Sequence, residues 1–131
     1  MSGFEALPVE TEKIAREVVD AAYKVHKSLG PGLLESVYEL CLCHELRTRG
    51  LKVEKQVDVP IVYEGLTMDG GLRLDMLVEN ELIVELKAVE TMLPVFEAQL
   101  LSYLRLMHKR LGLLINFNVP LIKNGIKRII P

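Results

Sequence analysis

The sequence has little of what a membrane-spanning, secreted or zinc-binding protein needs. None of its 131 residues falls in a stretch that approaches the roughly 18 to 20 consecutive apolar residues of a spanning helix. The first twelve residues carry acids rather than the basic and apolar layout of a signal peptide. Only two cysteines occur, Cys41 and Cys43, and their spacing in a predicted helix points them to different sides. We therefore expect free thiols, no membrane association and a cytoplasmic protein.

The sequence also lacks both a zinc-ligand pattern and a basic excess. His26, His44 and His108 are scattered, and no second cysteine pair completes a tetrahedral site. The formal net charge is −2, whereas proteins that bind nucleic acid usually carry visible positive charge. A uniformly basic protein is therefore excluded.

The charge is nevertheless unevenly distributed along the chain. Residues 1–97 contain all 18 acids and 10 bases, a balance of −8, whereas residues 98–131 contain no acid and a balance of +6. The six basic residues of this second block are Arg105, Lys109, Arg110, Lys123, Lys127 and Arg128. We expect them to face nucleic-acid phosphates, the alternative being a basic tail that is merely solvated.

Apolar periodicity predicts a single layered domain over residues 1–131. Helical spacing marks residues 11–29, 33–49 and 94–108, and extended segments cover residues 53–63, 72–78, 82–88, 113–117 and 126–130. The resulting order is two helices, three strands, one helix and two strands. That order indicates an α/β or α+β domain in which helices cover a central sheet.

The two strands around residues 79–81 carry the chemistry. Because side chains alternate along a strand, each of the two strands has one apolar face, and the two faces are expected to be buried together. On the first strand this face consists of Leu72, Leu74, Met76 and Val78, and on the second of Leu82, Val84, Leu86 and Ala88. The opposite face would carry Arg73, Asp75 and Leu77 with Ile83, Glu85 and Lys87. Matching the apolar faces requires an odd-numbered loop, which places Asp75 opposite Glu85 with Cβ atoms roughly 5 Å apart.

Two carboxylates placed in this way favour a cation between them. Mg²⁺ or Mn²⁺ could take oxygen ligands from Asp75, Glu85 and the carbonyl of Leu86. The ammonium of Lys87, on the same side as Glu85, could hold a metal-activated water and stabilise charge on a phosphoryl group. The alternative is a solvated strand face with an ordinary Glu–Lys neighbour pair.

These residues resemble the PD-(D/E)XK nuclease superfamily, in which an Asp on one strand is followed by Glu-x-Lys on the next. The stretch from Gly32 through Glu35 to Tyr38 also matches the Gly-x-x-Glu-x-x-Tyr motif of the GxxExxY proteins, a branch of that superfamily. The similarity continues through LRLDMLVENELIVELKAV, FEAQLLSYLR and LGLLINFN. Leu74 stands where the motif's name has a proline, a departure shared by many members.

The resemblance implies a restriction-endonuclease-like three-layer core with a central mixed sheet. It makes Asp75 and Glu85 metal ligands and Lys87 the catalytic lysine, with Glu35 completing the metal site. Gln99 and Tyr103 match a Gln-x-x-x-Tyr motif that positions the lysine and the substrate. Without the resemblance, Glu35 would be a helix-start acid, Gln99 a surface residue and Tyr38 and Tyr103 core aromatics.

Two functions are compatible with this pattern. The first is a Mg²⁺- or Mn²⁺-dependent nuclease that hydrolyses DNA, or less readily RNA, by a metal-activated water. The second is a non-catalytic module of the same fold that binds nucleic acid or a protein partner. A homodimer would suit either function, because a small domain gains binding surface by pairing.

Overall fold

The computed structural model describes residues 6–131, so the first five residues of the stretch without a signal-peptide layout lie outside it. The helices are α1 (Val9–Leu29), α2 (Glu35–Thr48) and α3 (Pro94–Met107). The strands are β1 (Val53–Asp58), β2 (Ile61–Tyr63), β3 (Leu66–Met68), β4 (Arg73–Val78), β5 (Leu82–Lys87), β6 (Leu111–Asn116) and β7 (Ile126–Ile129), and a 3₁₀ turn spans Ile122–Gly125. No helix within residues 6–131 is long and apolar enough to cross a membrane.

Five strands form one mixed sheet in the order β1-β4-β5-β6-β7. The β5–β6 pair is parallel and the other three pairs are antiparallel. This confirms the predicted α+β architecture and its order of helices and strands. The remaining strands, β2 and β3, form a separate hairpin that the sequence pattern did not resolve.

The separate hairpin has a local origin. Pro60 lacks the N–H that would continue the β1 ladder, so the extended stretch from residue 53 to 63 divides there. Glu64 and Gly65 then adopt φ values of 49° and 79°, the left-handed pair that makes a two-residue hairpin turn.

Helices cover both faces of the five-stranded sheet. α1 and α2 pack on the face that contains Leu82, Val84 and Leu86, and α3 packs on the face that contains Leu77 and Ile83. Each face buries its own apolar cluster and Glu85 is only 5% exposed, so the alternative of a solvated charged face on the β4–β5 hairpin does not hold at Glu85. α3 covers that face.

The predicted face of Leu72 and Leu74 is also wrong. Both residues pack in the α3 cluster, whereas Met76 lies in the α1–α2 cluster. The reason is a break in the β1–β4 ladder: Lys55 pairs with Met76 and Val57 with Leu74, but the intervening Gln56 has a φ of 52° and no such pair. Strict alternation of side chains therefore stops at this point of β4.

Candidate active site

The β4–β5 hairpin has the register that its three-residue loop predicts. Glu79 and Asn80 take left-handed φ values of 52° and 54° in the loop. Beyond it Val78 pairs with Leu82, and the ladder continues to the pair of Met76 with Val84. One further step in this register brings Asp75 and Glu85 opposite each other.

At that step the side chains replace the backbone ladder. The N–H of Asp75 donates to Oε1 of Glu85 over 3.0 Å. The N–H of Leu86 donates to Oδ2 of Asp75 over 2.8 Å. Each carboxylate is therefore held by the backbone of the opposite strand, which fixes both headgroups at the end of the hairpin.

The carboxylate pair lies in an environment that disfavours two negative charges. Glu85 is only 5% exposed, and burial raises the pKa of its carboxyl, with the charge of Asp75 adding to the rise. A divalent cation would offset both effects, and hard oxygen donors are the ligands that Mg²⁺ and Mn²⁺ prefer. The donors present therefore fit such an ion, although within residues 6–131 no three His, Cys, Asp or Glu side chains already form a complete metal-binding group.

Glu35, the first residue of α2, lies within electrostatic reach of Asp75 and Lys87. Burial and the charge of Asp75 raise the pKa of its half-buried carboxyl, and the positive charge of Lys87 opposes this rise. Glu35 therefore shares an electrostatic environment with the hairpin residues.

Tyr38 organises the turn that precedes Glu35. Its hydroxyl donates to the carbonyl of Gly30 over 2.6 Å and accepts from the N–H of Leu33 over 3.1 Å. Its ring is fully buried and stacks on Phe117 at a centroid distance of 4.6 Å. Gly32 in the same turn has a φ of 99°, which favours glycine. These two motif residues shape the approach to Glu35.

Lys87 ends β5 with a fixed backbone. Its carbonyl accepts from the N–H of Phe117 over 2.9 Å. The buried amide of Asn116, its neighbour on β6, both donates to and accepts from the backbone of Val89. The ammonium lies 4.4 Å from the centroid of the Phe96 ring, a cation–π contact. Lys87 therefore occupies the edge of the site between β5 and α3.

Tyr103 and Gln99 lie one turn apart on α3. Burial raises the pKa of the Tyr103 phenol, and the negative charges of Glu85 and Asp75 raise it further. Tyr103 is 4% exposed, whereas Gln99 is exposed. The α3 layer thus brings the phenol close to the carboxylate pair.

Comparison with known proteins supports a nuclease ancestry. The family model of the PD-(D/E)XK nuclease superfamily matches residues 12–129. The chain belongs to this superfamily. The mixed α+β structure, with helices on both faces of a five-stranded sheet, is consistent with its restriction-endonuclease-like fold. The comparisons with curated proteins and with solved structures find no significant match.

The structure of this PD-(D/E)XK protein adds two polar residues that the sequence did not single out. The amide of Gln56 donates to Oε2 of Glu39 over 3.1 Å and reaches Oδ1 of Asp75 at 3.5 Å. Glu39 lies one helical turn after Glu35. The sequence did not identify Gln56 because a polar residue is ordinary in a strand and because a hydrophobic pattern does not reveal its left-handed φ.

The structure does not gather the six basic residues of the C-terminal block into one surface. Lys109 contacts Asn80 at the loop end of the β4–β5 hairpin, and β5 separates that end from Lys87 by on the order of 17 Å. Arg105 and Arg110 flank this end of α3 and β6. Lys127 pairs with Glu97 of α3 and Arg128 with Glu12 of α1, on opposite faces of the sheet. Lys123 lies in the 3₁₀ turn that follows β6, at the end of the sheet that holds Lys87.

Proposed function

We propose that this PD-(D/E)XK protein is a Mg²⁺- or Mn²⁺-dependent nuclease that hydrolyses phosphodiester bonds of DNA, and less readily of RNA. The observation that carries the proposal is the cross-strand arrangement of Asp75 and Glu85, each held by the opposite backbone. A buried glutamate paired with a partly buried aspartate, beside a lysine, matches the needs of metal-assisted phosphoryl chemistry.

Four groups would hold the metal: Asp75, Glu85, Glu35 and the carbonyl of Leu86. When bound, the divalent cation supplies an activated water and charge neutralisation at the phosphoryl group. The hydrogen bonds from the N–H groups of Asp75 and Leu86 keep the two carboxylates oriented without further rearrangement. Burial of Glu85 keeps bulk water away from that carboxylate.

Lys87 would stabilise the charge that develops on the phosphoryl oxygens. Its ammonium is exchangeable between the ring of Phe96 and an incoming phosphate, because a cation–π contact is worth only about 0.5–2 kcal/mol. Gln99 and Tyr103 would position this lysine and the substrate from α3.

The proposal extends to the branch of the superfamily, the extent of the domain, the phosphate contacts, the location and the oligomeric state. We assign the protein to the GxxExxY branch on the motif of Gly32, Glu35 and Tyr38, and we treat residues 1–131 as one domain. We retain Arg105, Lys109, Arg110, Lys123, Lys127 and Arg128 as candidate phosphate contacts along a long substrate. A cytoplasmic location and a homodimer complete the proposal.

A non-catalytic module is the second candidate, and the placement of Lys87 favours it. Its ammonium lies over Phe96 rather than in an ion pair with Glu85. A fold of this kind could bind nucleic acid or a protein partner without turnover.

Cleavage of a labelled oligonucleotide in Mg²⁺ or Mn²⁺ tests the proposal. We expect Asp75→Ala and Lys87→Ala to lower the cleavage rate at least about 100-fold. Asp20→Asn and Lys13→Met change exposed charges on α1, away from the site, and serve as matched controls that keep full activity. Full activity in both site variants would contradict the assignment. Calorimetric titration with Mn²⁺ addresses the second candidate, because a module has no need to bind the ion.

A further inference from the structure

The β2–β3 hairpin extends from the end of the sheet that holds the candidate site. It connects the end of β1 to the start of β4, and Asp75 is the third residue of β4. Glu85 and Lys87 are close to the end of the neighbouring strand β5. The hairpin forms its own two-stranded sheet, so its side chains are free of the ladder of the main sheet.

This hairpin presents an apolar face to solvent. Its register pairs Ile61 with Met68 and Tyr63 with Leu66, so these four side chains share one face. Tyr63 is 63% exposed, Leu66 64% and Met68 42%. Isolated hairpins of two strands are marginally stable in water, and an exposed apolar face adds to their instability. The exposed apolar face of this hairpin therefore indicates a binding surface.

Two other segments at this end of the sheet also expose apolar side chains. Residues 31–34 precede Glu35 and expose Leu33 and Leu34, and residues 88–95 follow Lys87 and expose Met92, Leu93 and Val95. Together with residues 59–72, these segments contain no lysine or arginine but three acids, Glu64, Asp69 and Glu90. These three segments therefore offer a nucleic acid apolar contacts rather than phosphate-binding cations.

We infer that the β2–β3 hairpin stacks on unpaired bases, so that the substrate of this site is a single strand or an unpaired end rather than a continuous duplex. The inference rests on the proposed nuclease function, because it concerns the substrate of Asp75, Glu85 and Lys87 at the same end of the sheet. A duplex hides its base faces and offers mainly phosphates, which require cations for tight binding. A single strand offers base faces on which an aromatic side chain such as that of Tyr63 stacks without regard to sequence, with the neighbouring apolar side chains packing around it.

The test compares fluorescein-labelled 20-nucleotide DNA as a single strand and as a matched duplex. Anisotropy in Ca²⁺ buffer gives Kd, and cleavage in Mn²⁺ buffer gives kcat/KM for each form. We expect the full-length protein to bind and cleave the single strand at least about tenfold better than the duplex.

The variants assign the preference to the hairpin. The double substitution Tyr63→Ser with Leu66→Ser should raise the single-strand Kd about tenfold and leave the duplex Kd unchanged. Tyr63→Phe keeps the aromatic face and should retain the preference. Tyr23→Ser removes an exposed tyrosine from α1, away from the site, and is the matched control. Circular dichroism and thermal melting establish that each variant is folded.

The outcomes separate this inference from the proposed function. Equal cleavage of both forms, unaffected by the double substitution, would overturn the inference and leave the nuclease intact. A double variant that turns a dimer into a monomer in light scattering, with unchanged single-strand Kd, would overturn it in favour of contact between two copies. Absence of cleavage of either form by the wild-type protein would overturn the nuclease function and the inference with it.

Discussion

The backbone N–H of Asp75 donates a hydrogen bond of 3.0 Å to the carboxylate of Glu85. The carboxylate of Asp75 in turn accepts the N–H of the residue that follows Glu85. The two acids are thus linked through the backbone of the opposite strand, which orients both carboxylates while leaving their charges close together. The proximity of the two charges affects the stability of the protein and its binding of a metal ion, and the amide of Gln56 lies beside Asp75.

Glu85→Gln should stabilise the metal-free protein at neutral and alkaline pH. Burial and the charge of Asp75 raise the pKa of the Glu85 carboxyl above 4.5 in the folded state, so the folded protein holds this proton more tightly than the unfolded chain does. The contribution of Glu85 to the free energy of unfolding is therefore greatest below its ordinary pKa, and it is lost as the pH rises toward the raised pKa of the folded state. A shift of one pKa unit corresponds to about 1.4 kcal/mol.

Urea unfolding in EDTA at pH 5 and pH 8 measures this effect. The wild type should lose stability between the two values, and Glu85→Gln should lose less. Mg²⁺ should restore stability at pH 8 to the wild type but not to the variant, because only the carboxylate is a strong ligand. An equal pH dependence in both proteins would show that Glu85 is not the destabilising group.

Gln56→Gly should separate the stability of β1 from the function of its side chain. Glycine takes the φ of 52° without the steric penalty of a Cβ atom, but it gains freedom in the unfolded chain. The free energy of unfolding should therefore change by less than about 1 kcal/mol. Cleavage should fall roughly tenfold in kcat with little change in KM, because Asp75 loses its amide neighbour.

A steady-state measurement with the oligonucleotide provides kcat and KM for the Gln56 variant. Gln56→Asn keeps an amide and tolerates a left-handed φ, so it should recover part of the rate. Unchanged kcat in Gln56→Gly would reduce Gln56 to an ordinary strand residue.

Tyr38→Phe should weaken the fold by about 1–3 kcal/mol. The substitution leaves the carbonyl of Gly30 and the N–H of Leu33 without their hydroxyl partner in a part-buried turn. Phenylalanine preserves the stacking on Phe117, so the loss reports the hydroxyl alone. Thermal melting should show a lower Tm, and Tyr23→Phe is the exposed control. A Tm equal to that of the wild type would mean that the turn before Glu35 is held by other contacts.

Much of the fold is predictable because local patterns agree with the tertiary structure. The periodicity of α1 and α3 and the alternation of β5 gave their spans within two residues. The three residues between Val78 and Leu82 determined the register that brings Asp75 opposite Glu85, because the wrong register would expose an apolar face.

The rest depends on contacts distant in sequence. Leu74 changes sides because Gln56, on another strand, interrupts the ladder beside it. The basic block is contiguous in sequence, but neighbouring residues such as Lys127 and Arg128 lie on opposite faces of an edge strand. Side-chain alternation therefore disperses charges that a segment count places together.

Crystals grown with Mn²⁺ and examined by anomalous scattering test the central claim most directly. We predict one ion within ~2.0–2.6 Å of a carboxylate oxygen of both Asp75 and Glu85, and its loss in Asp75→Asn. An ion bound elsewhere, or no ion at a concentration that supports cleavage, would contradict the assignment of these two carboxylates as the metal site of a nuclease.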